Sequence, residues 1–265
     1  MKEIGKEELK RIQLDILLSI HRFCEDKGLR YSLSSGSLLG AVRHKGYIPW
    51  DDDIDIMMPR PDYEKFRRLY NGFNPYHTVQ SYHNDDSYWF NYLKVYDNRT
   101  LFVEGASRNG VFVDVFVIDG LPQATQDLMK LKEDATQLVN RELRWVTKEY
   151  KSRTKSSEKF INFIKYIIRS HLVDSRSIIV KKLDDLFMQN SFDDSSLAGA
   201  FFFDRFFGVL PKQIYDNYTL IQFEGHMLKC VQDTHTYLEC LYGDYMKLPP
   251  ENERIGRHHI HAYWI

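Results

Sequence analysis

The run GVFVDVFVID (110–119) constrains the fold of this chain more than any other feature, because it places one acid inside an apolar strand. Valines alternate there with Phe112, Asp114 and Phe116, which is typical of a β-strand. A carboxylate in a buried strand costs several kcal/mol unless it is paired. We therefore expect Asp114 to lie beside other acids that share a metal ion with it.

The acids that fit this expectation lie in PWDDDIDIMMPR (49–60). Asp53 and Asp55 are separated by Ile54, so in a strand both carboxylates point to one face. Carboxylates that converge on one point repel each other unless a cation lies between them. A few hard oxygen ligands suit Mg²⁺ or Mn²⁺. The sequence thus predicts a metal site made of Asp53, Asp55 and Asp114.

Two other interpretations of the acidic run are weaker. An EF-hand calcium loop that starts at Asp51 would need glycine where Ile56 stands and glutamate where Asp62 stands. A plain acidic turn remains open for the run taken alone. It is less favourable in this chain, because a turn does not explain Asp114 in its apolar strand.

A turn rich in serine and glycine precedes the acids. Ser34–Ser37 is followed by LLGAVRHKG, which predicts a strand, a tight turn and a short helix. Backbone N–H groups at such a helix start can hold a phosphate together with the Ser37 hydroxyl. Three basic or titratable side chains come between this turn and the acids: Arg43, His44 and Lys45. The turn, the acidic pair and the distal acid together resemble the active site of the nucleotidyltransferase superfamily.

The remaining patterns predict an α/β (α+β) chain, with a nucleotidyltransferase-like mixed sheet core flanked by helices and a helical insertion. A helix over 7–27 ends at Gly28, and strands and helices alternate up to about residue 120. A hairpin that turns at Glu224-Gly225 precedes a last helix. We expect three segments: a catalytic core at 1–123, a basic helical insertion at 124–210, and a C-terminal hairpin, helix and tail at 211–265 that pack back on the core.

Basic residues are concentrated in residues 141–182, where twelve Lys and Arg stand against four acids, a local net charge of +8. Within this segment, KFINFIKYIIRSHL (159–172) has apolar residues at helical spacing with basic residues among them. Such a helix can lie on an anionic membrane or bind a phosphate-rich polymer. The other interpretation is a packed helix with a solvated basic face. The formal net charge of −1 for the whole chain argues against a nucleic-acid partner.

The sequence predicts a cytoplasmic protein, at the inner face of the membrane if the basic helix docks there. No run reaches the roughly 20 apolar residues that a membrane span needs. The first residues, MKEIGKEELKR, show no apolar signal-peptide region. Three cysteines without CxxC spacing fit a reducing compartment.

The longer string YSLSSGSLLGAVRHKGYIPWDDDIDIMMPRPDYEKF (31–66) resembles the signature of the LicD family. This family is similar to bacterial phosphocholine transferases and, more distantly, to the fukutin group of ribitol-phosphate transferases. Ser37 stands where the family more often has threonine, which keeps the hydroxyl. The resemblance continues at LKVYDNRT (93–100), GVFVDVFVIDG (110–120), QFEG (222–225) and LYGDYMKLPP (241–250).

The resemblance implies a transferase that moves a phospho-alcohol, such as phosphocholine, from a CDP-linked donor to a sugar hydroxyl of a cell-surface glycan, which can be lipid-linked. It implies that Asp53 and Asp55 bind the metal and that Asp114 is either a third ligand or the general base. It also implies that the turn with Gly36 and Ser37 holds the donor phosphates. The side chains that would offset the phosphate charge are Arg43, Lys45 and Lys94.

Two alternatives stay open at this point. The first is a nucleotidyltransferase that transfers the nucleotide itself to a glycan or another acceptor. The second is a non-catalytic carbohydrate-binding or regulatory protein with a vestigial metal site. The complete set of three acids makes the second less favourable.

Smaller groups of residues also have functional interpretations. Tyr47, Trp50 and Tyr92 are candidates for an aromatic cage around a trimethylammonium group, although ordinary core packing explains most aromatics. Arg257, His258 and His259 are candidates for a tail that reaches phosphate, against an ordinary polar tail.

Overall fold

The computed structural model describes residues 1–86, 88, 90–104, 107–139, 176–202, 205–254 and 261–265. Six α-helices lie in these ranges: α1 Lys6–Lys27, α2 Ser35–His44, α3 Arg60–Leu69, α4 Thr125–Leu138, α5 Arg176–Phe187 and α6 Thr234–Tyr242. The strands of the first half are β1 Lys2–Ile4, β2 Ser32–Leu33, β3 Asp55–Pro59, β4 His77–Gln80, β5 Leu93–Asp97, β6 Thr100–Glu104, β7 Ser107–Asn109 and β8 Phe112–Leu121. Those of the second half are β9 Leu197–Phe202, β10 Arg205–Pro211, β11 Tyr218–Phe223, β12 His226–Val231 and β13 His261–Trp264.

A seven-stranded mixed sheet forms the centre of the molecule. Five strands follow the order β10-β9-β8-β3-β2, while β5 pairs with β8 and β4 pairs with β5. The β3–β8 pair is parallel, and the other pairs of this sheet are antiparallel. The predicted α/β class with a mixed sheet flanked by helices is therefore confirmed.

Helix α1 covers the central sheet because its apolar residues recur on one stripe. It packs on β5 and β8, and α3 packs on β3 and β8. Ile16, Leu17 and Ile20 are fully buried in the same cluster as Val113 and Val115 of β8. The helix ends where Gly28 takes a left-handed conformation with φ of 63°, which only glycine adopts without strain.

The segment predicted as a helical insertion contains both helices and strands. Helices α4 and α5 pack on each other around a small apolar cluster with Leu131, Leu183 and Phe187. After α5, the chain contributes β9 and β10 to the central sheet. The predicted basic amphipathic helix lies in 140–175, outside the described residues. The division at 124 and 210 stays a prediction.

The C-terminal part of the chain supplies a separate hairpin, β11–β12. Its two-residue turn is Glu224-Gly225, with φ of 48° and 80°. Positive φ at both positions defines the type I′ turn that suits the twist of two antiparallel strands, so the predicted turn is confirmed. Asp233 caps α6 by accepting a hydrogen bond from the Thr236 N–H at 3.0 Å.

A second, four-stranded sheet joins distant parts of the chain in the order β1-β13-β6-β7. Strand β13 lies between β1 and β6, and Trp264 is opposite both Lys2 and Thr100. Across the described ranges, no helix combines the length and the apolar character that crossing a membrane requires.

Candidate active site

The parallel pairing of β3 and β8 brings two of the predicted acids together. Asp55 and Asp114 are direct partners in the register of these strands, and the Asp114 N–H donates to the Ile54 carbonyl at 3.0 Å. Neighbouring partners in a sheet point to the same face. The expectation that the strand of Asp114 lies beside that of Asp55 is confirmed. Strand β3 starts at Asp55, so Asp53 lies in the loop just before it.

The acids act on one another electrostatically. Burial raises the pKa of Asp55 well above its ordinary value, and the charges of Asp53, Asp114 and Asp51 raise it further, while Lys94 opposes them. A carboxylate whose neighbours disfavour its charge is stabilised by a cation placed among them. The electrostatics of Asp55 therefore fit the metal site that the sequence predicts.

Three consecutive acids supply a close group of oxygen ligands. Carboxylate oxygens of Asp51, Asp52 and Asp53 lie within 4.8 Å of one another. An all-carboxylate donor set is hard and suits Mg²⁺ or Mn²⁺ rather than a softer metal. The residues present thus fit the predicted kind of cation, and Asp51 is an additional candidate ligand beside Asp53 and Asp55.

Lys94 lies among the acids. Its Nζ is 2.5 Å from Oδ1 of Asp114, and the two residues are partners in the β5–β8 register. Both side chains are nearly buried, with 9% and 12% of their surface exposed. The ammonium is also 3.5 Å from the centre of the Phe112 ring. An ion pair held in this way gives Asp114 a fixed position facing Asp55.

The serine-rich turn is bonded directly to the strand of the acids. The Ser34 N–H donates to the Asp55 carbonyl at 3.0 Å, and the Asp55 N–H donates to Oγ of Ser37 at 2.9 Å. A Cβ on Gly36 would lie 2.8 Å from Oδ2 of Asp51, so the absence of a side chain there lets the acid approach. The predicted turn and the predicted acids form one site.

The same turn carries backbone strain. Ser35, the first residue of α2, has φ of 45°, a left-handed conformation that costs a non-glycine residue of order 1–3 kcal/mol. Strain of this kind persists only where surrounding contacts hold it. Here it lies at the point that the sequence predicts to bind phosphate.

Arg43 and Lys45 lie at the other end of α2 from the turn. Nη1 of Arg43 donates to the Tyr245 carbonyl at 3.0 Å. Lys45 is exposed and ends the helix with φ of 61°. Of the eight predicted site residues, the structure groups six around the acids and the turn, while these two belong to the far end of the helix.

Two residues of the site were not among the predicted ones. The hydroxyl of Tyr237 on α6 is 2.9 Å from Oγ of Ser34, so the C-terminal helix supports the turn. Oε1 of Glu224 accepts from the Tyr47 N–H at 3.0 Å, and this fixes the loop between α2 and the acids. The QFEG motif offered a signal for Glu224, whereas a tyrosine inside an ordinary helix offered none for Tyr237.

The three aromatics considered for a trimethylammonium cage lie in different surroundings. Tyr47 is buried and donates its hydroxyl to the Lys10 carbonyl at 3.0 Å. Tyr92 packs in an aromatic cluster with Phe116, at 4.5 Å between ring centres. The ring contacts of Trp50 are with His44 and Arg254. The tail residues Arg257, His258 and His259 lie outside the described residues.

Comparisons with known proteins agree with this site. Residues 28–142 match the family model described as LicD/FKTN/FKRP, nucleotidyltransferase domain. The chain is 29% identical over 274 residues to the lipopolysaccharide cholinephosphotransferase LicD of Haemophilus influenzae, with 99% of each chain covered. It is 59% identical over 32 residues to the ribitol 5-phosphate transferase FKRP of Homo sapiens, which covers 12% of this chain and 6% of that protein.

The matched domain includes all the acids described above and the serine-rich turn. The longest alignment extends the similarity to the hairpin and the C-terminal helix that support this turn. The resemblance expected from the sequence is confirmed: residues 28–142 match the LicD/FKTN/FKRP family model, and the chain is similar along its whole length to a LicD protein.

Proposed function

We propose that this protein is a metal-dependent transferase that moves a phosphocholine-type group from a CDP-linked alcohol to a sugar hydroxyl of a glycan. The full-length similarity to a lipopolysaccharide cholinephosphotransferase supports the reaction class. The observation that carries the proposal is the register of β3 and β8, which sets Asp114 opposite Asp55, the acid whose pKa both Asp53 and Asp114 raise. This arrangement is suited to phosphoryl transfer, which depends on positioning and charge neutralisation.

We assign the roles by position in the site. Asp53 and Asp55, with Asp51, would hold Mg²⁺ or Mn²⁺, which supplies charge neutralisation at the donor phosphates when bound. The turn with Gly36 and Ser37 binds donor phosphate oxygens through its N–H and hydroxyl groups. Lys94 orients Asp114 through their 2.5 Å contact, and Arg43 and Lys45 add positive charge at the far end of α2.

The transfer exchanges one P–O bond for another. The acceptor hydroxyl oxygen attacks the phosphorus that carries the alcohol, and the bond from that phosphorus to the bridging oxygen breaks, so CMP leaves. Asp114 would take the hydroxyl proton if it is the general base. If it is instead a third metal ligand, it would help to hold the cation, and the proton would leave with the phosphate of CMP. Water must be kept from the same phosphorus, and the buried position of the Lys94–Asp114 pair serves this need.

The test is a turnover screen of CDP-choline, CDP-ethanolamine, CDP-glycerol and CDP-ribitol with Mg²⁺ and a glycan acceptor. Release of CMP together with a phospho-alcohol on the glycan is the expected result. A nucleotidylated acceptor, with the phospho-alcohol released as the leaving group, would instead favour nucleotidyl transfer, the activity class that the family description names. Absence of metal-dependent turnover with any donor would leave only a binding or regulatory protein.

Asp114→Asn is expected to remove most of the activity. As a general base, the lost carboxylate lowers the maximal rate and leaves the midpoint of a Mg²⁺ titration nearly normal. As a metal ligand, its loss moves the midpoint to higher Mg²⁺. Asp114→Asn leaves the Lys94 ammonium without its partner at 2.5 Å. The matched control therefore combines Asp114→Asn with Lys94→Met, and it separates the loss of the carboxylate from the effect of an unpaired ammonium. Activity close to that of the unchanged protein in Asp114→Asn would contradict both roles.

The basic segment gives the proposed link to the cytoplasmic face of a membrane. Each basic residue near an anionic surface contributes about 1 kcal/mol of attraction, which salt screens. Changing Lys155, Lys159, Lys165 and Arg169 to glutamate should therefore release the protein from anionic liposomes, as measured by co-sedimentation. Donor hydrolysis to CMP should remain nearly unchanged. If the unaltered protein does not bind such liposomes at low salt, the segment is only a solvated face.

A further inference from the structure

Two of the buried or half-buried arginines differ from the others in their partners. Six arginines with described side chains are buried or half-buried. Four of them have a carboxylate partner at 2.5–2.7 Å: Arg30 with Asp62, Arg60 with Asp119, Arg67 with Glu64 and Arg99 with Asp97. Arg43 and Arg254 have no carboxylate partner within the described ranges.

Neutral groups fix the direction of both guanidinium groups. Arg43 donates from Nη1 to the Tyr245 carbonyl at 3.0 Å and from Nε to Nε2 of His44 at 3.1 Å. Arg254 donates from Nε to the Pro249 carbonyl at 2.9 Å. These bonds orient the side chains and leave their charges uncompensated, since carbonyls and a neutral imidazole carry none.

The two arginines belong to one cluster. Arg254 lies 5.8 Å from the ring centre of Trp50, and the His44 ring lies 6.3 Å from the same Trp50. Burial lowers the pKa of Arg43, and the nearby charge of Arg254 lowers it further. Like charges in a half-buried position repel each other, and an oxyanion bound between them removes that repulsion.

A helix C-terminus accounts for a cation without an acidic partner at Arg43 but not at Arg254. Arg43 is in the last turn of α2, where a cation is favourable to the helix dipole. Arg254 is the C-cap of the 3₁₀ helix Glu251–Glu253, which has a single turn and therefore a much smaller dipole than α2. Trp50, the ring beside Arg254, directly precedes Asp51, so one member of the cluster lies on the same loop as the candidate cation ligands.

We propose that Arg43 and Arg254 form a phosphate-binding pair at the rim of the site, with planar guanidinium groups that bind phosphoryl oxygens. The proposal deepens the proposed function and takes from it the class of ligand, a phosphoryl group of the donor or of a phosphate-bearing acceptor. It also assigns a binding role to Arg254, which lies outside the matched domain at 28–142.

The pair is tested by calorimetric binding of inorganic pyrophosphate, with Mg²⁺ present. Arg43→Gln and Arg254→Gln are each expected to weaken binding about tenfold, because each removes charge-assisted hydrogen bonds to the anion. Arg68→Gln, at an exposed position of α3, is the matched control and should stay within about twofold of the original affinity. Thermal melts show that the variants are folded, and Arg254→Lys should recover part of the affinity.

Two further measurements identify the source of the phosphoryl group. Weaker binding of CDP-choline by both glutamine variants assigns the pair to the donor. An unchanged CDP-choline affinity with a raised KM for a phosphorylated glycan assigns it to the acceptor. The proposed role of the pair is contradicted if both glutamine variants bind pyrophosphate as tightly as the unaltered protein does. It is also contradicted if the unaltered protein does not bind pyrophosphate. CMP release by the unaltered protein tests the proposed function separately, because it can occur whether or not the variants lose affinity.

Discussion

Asp53→Asn and Asp55→Asn should each lower donor turnover by orders of magnitude while the protein stays folded. An amide nearly keeps the volume of the carboxylate but loses the charge that binds a divalent cation. Asp53 lies in the loop before β3, and Asp55 is the first residue of β3, opposite Asp114. CMP release under saturating Mg²⁺ measures the loss, and near-normal turnover in either variant would contradict the metal assignment.

Stability gives this prediction an independent check. Because the pKa of Asp55 is raised in the folded protein, the folded state holds this proton more tightly than the unfolded state does. The contribution of Asp55 to the free energy of unfolding therefore declines as the pH rises from the ordinary pKa of an aspartate to the raised pKa of Asp55. Asp55→Asn lacks this decline, so without metal its Tm at pH 8 should equal or exceed that of the unaltered protein. Asp15→Asn, exposed on α1, is the matched control.

Arg60→Met is expected to destabilise the fold by about 3–5 kcal/mol, the range measured when one partner of a buried ion pair is removed. Arg60 has only 9% of its surface exposed. It binds Asp119 of β8 through two hydrogen bonds of 2.6 and 2.9 Å and lies 2.7 Å from Asp184 of α5. Without the guanidinium, two buried carboxylates on different elements lose their shared counter-charge.

Urea unfolding of Arg60→Met, followed by circular dichroism, measures this loss. Arg67→Met on the same helix is the control, because its partner Glu64 is partly solvated and such pairs contribute about 1 kcal/mol or less. Adding Asp119→Asn and Asp184→Asn to Arg60→Met should restore part of the stability. A loss no larger than that of the control would show that the pair is not needed to hold α5 against the sheet.

The elements nearest to the site could be predicted because their signals are local. Alternation in 112–117 predicts a strand directly, and an acid inside such a strand needs a partner. Alternation in 53–56 predicted β3 only in part, since the strand begins at Asp55. The prediction that β3 and β8 are neighbours followed from this need for a partner, and the observed pairing of the two strands confirms it. The Glu224-Gly225 turn was equally local, since two residues with positive φ define it.

Other parts of the site depend on contacts that a local pattern does not report. Ser34 and Tyr237 are 203 residues apart in the sequence, yet their hydroxyls form a hydrogen bond. Strands β9 and β10 lie in a segment predicted to be helical. The prediction missed them because the pairing of β9 with β8, and of β10 with β9, fixes their conformation as much as their own composition does. Arg43 and Lys45 were grouped with the phosphate turn by their sequence position, although α2 separates them from it.

The support of the serine turn by α6 has a consequence for the order in which the site is made during translation. Asp55 and Asp114 can pair once β8 has left the ribosome, whereas the hydroxyl that holds Ser34 arrives only with Tyr237. At 5–20 residues per second, the 123 residues between Asp114 and Tyr237 correspond to roughly 6–25 s. During that interval the nascent chain carries its acids without the completed turn, so under the proposed function the cation ligands would be in place before the donor-binding turn.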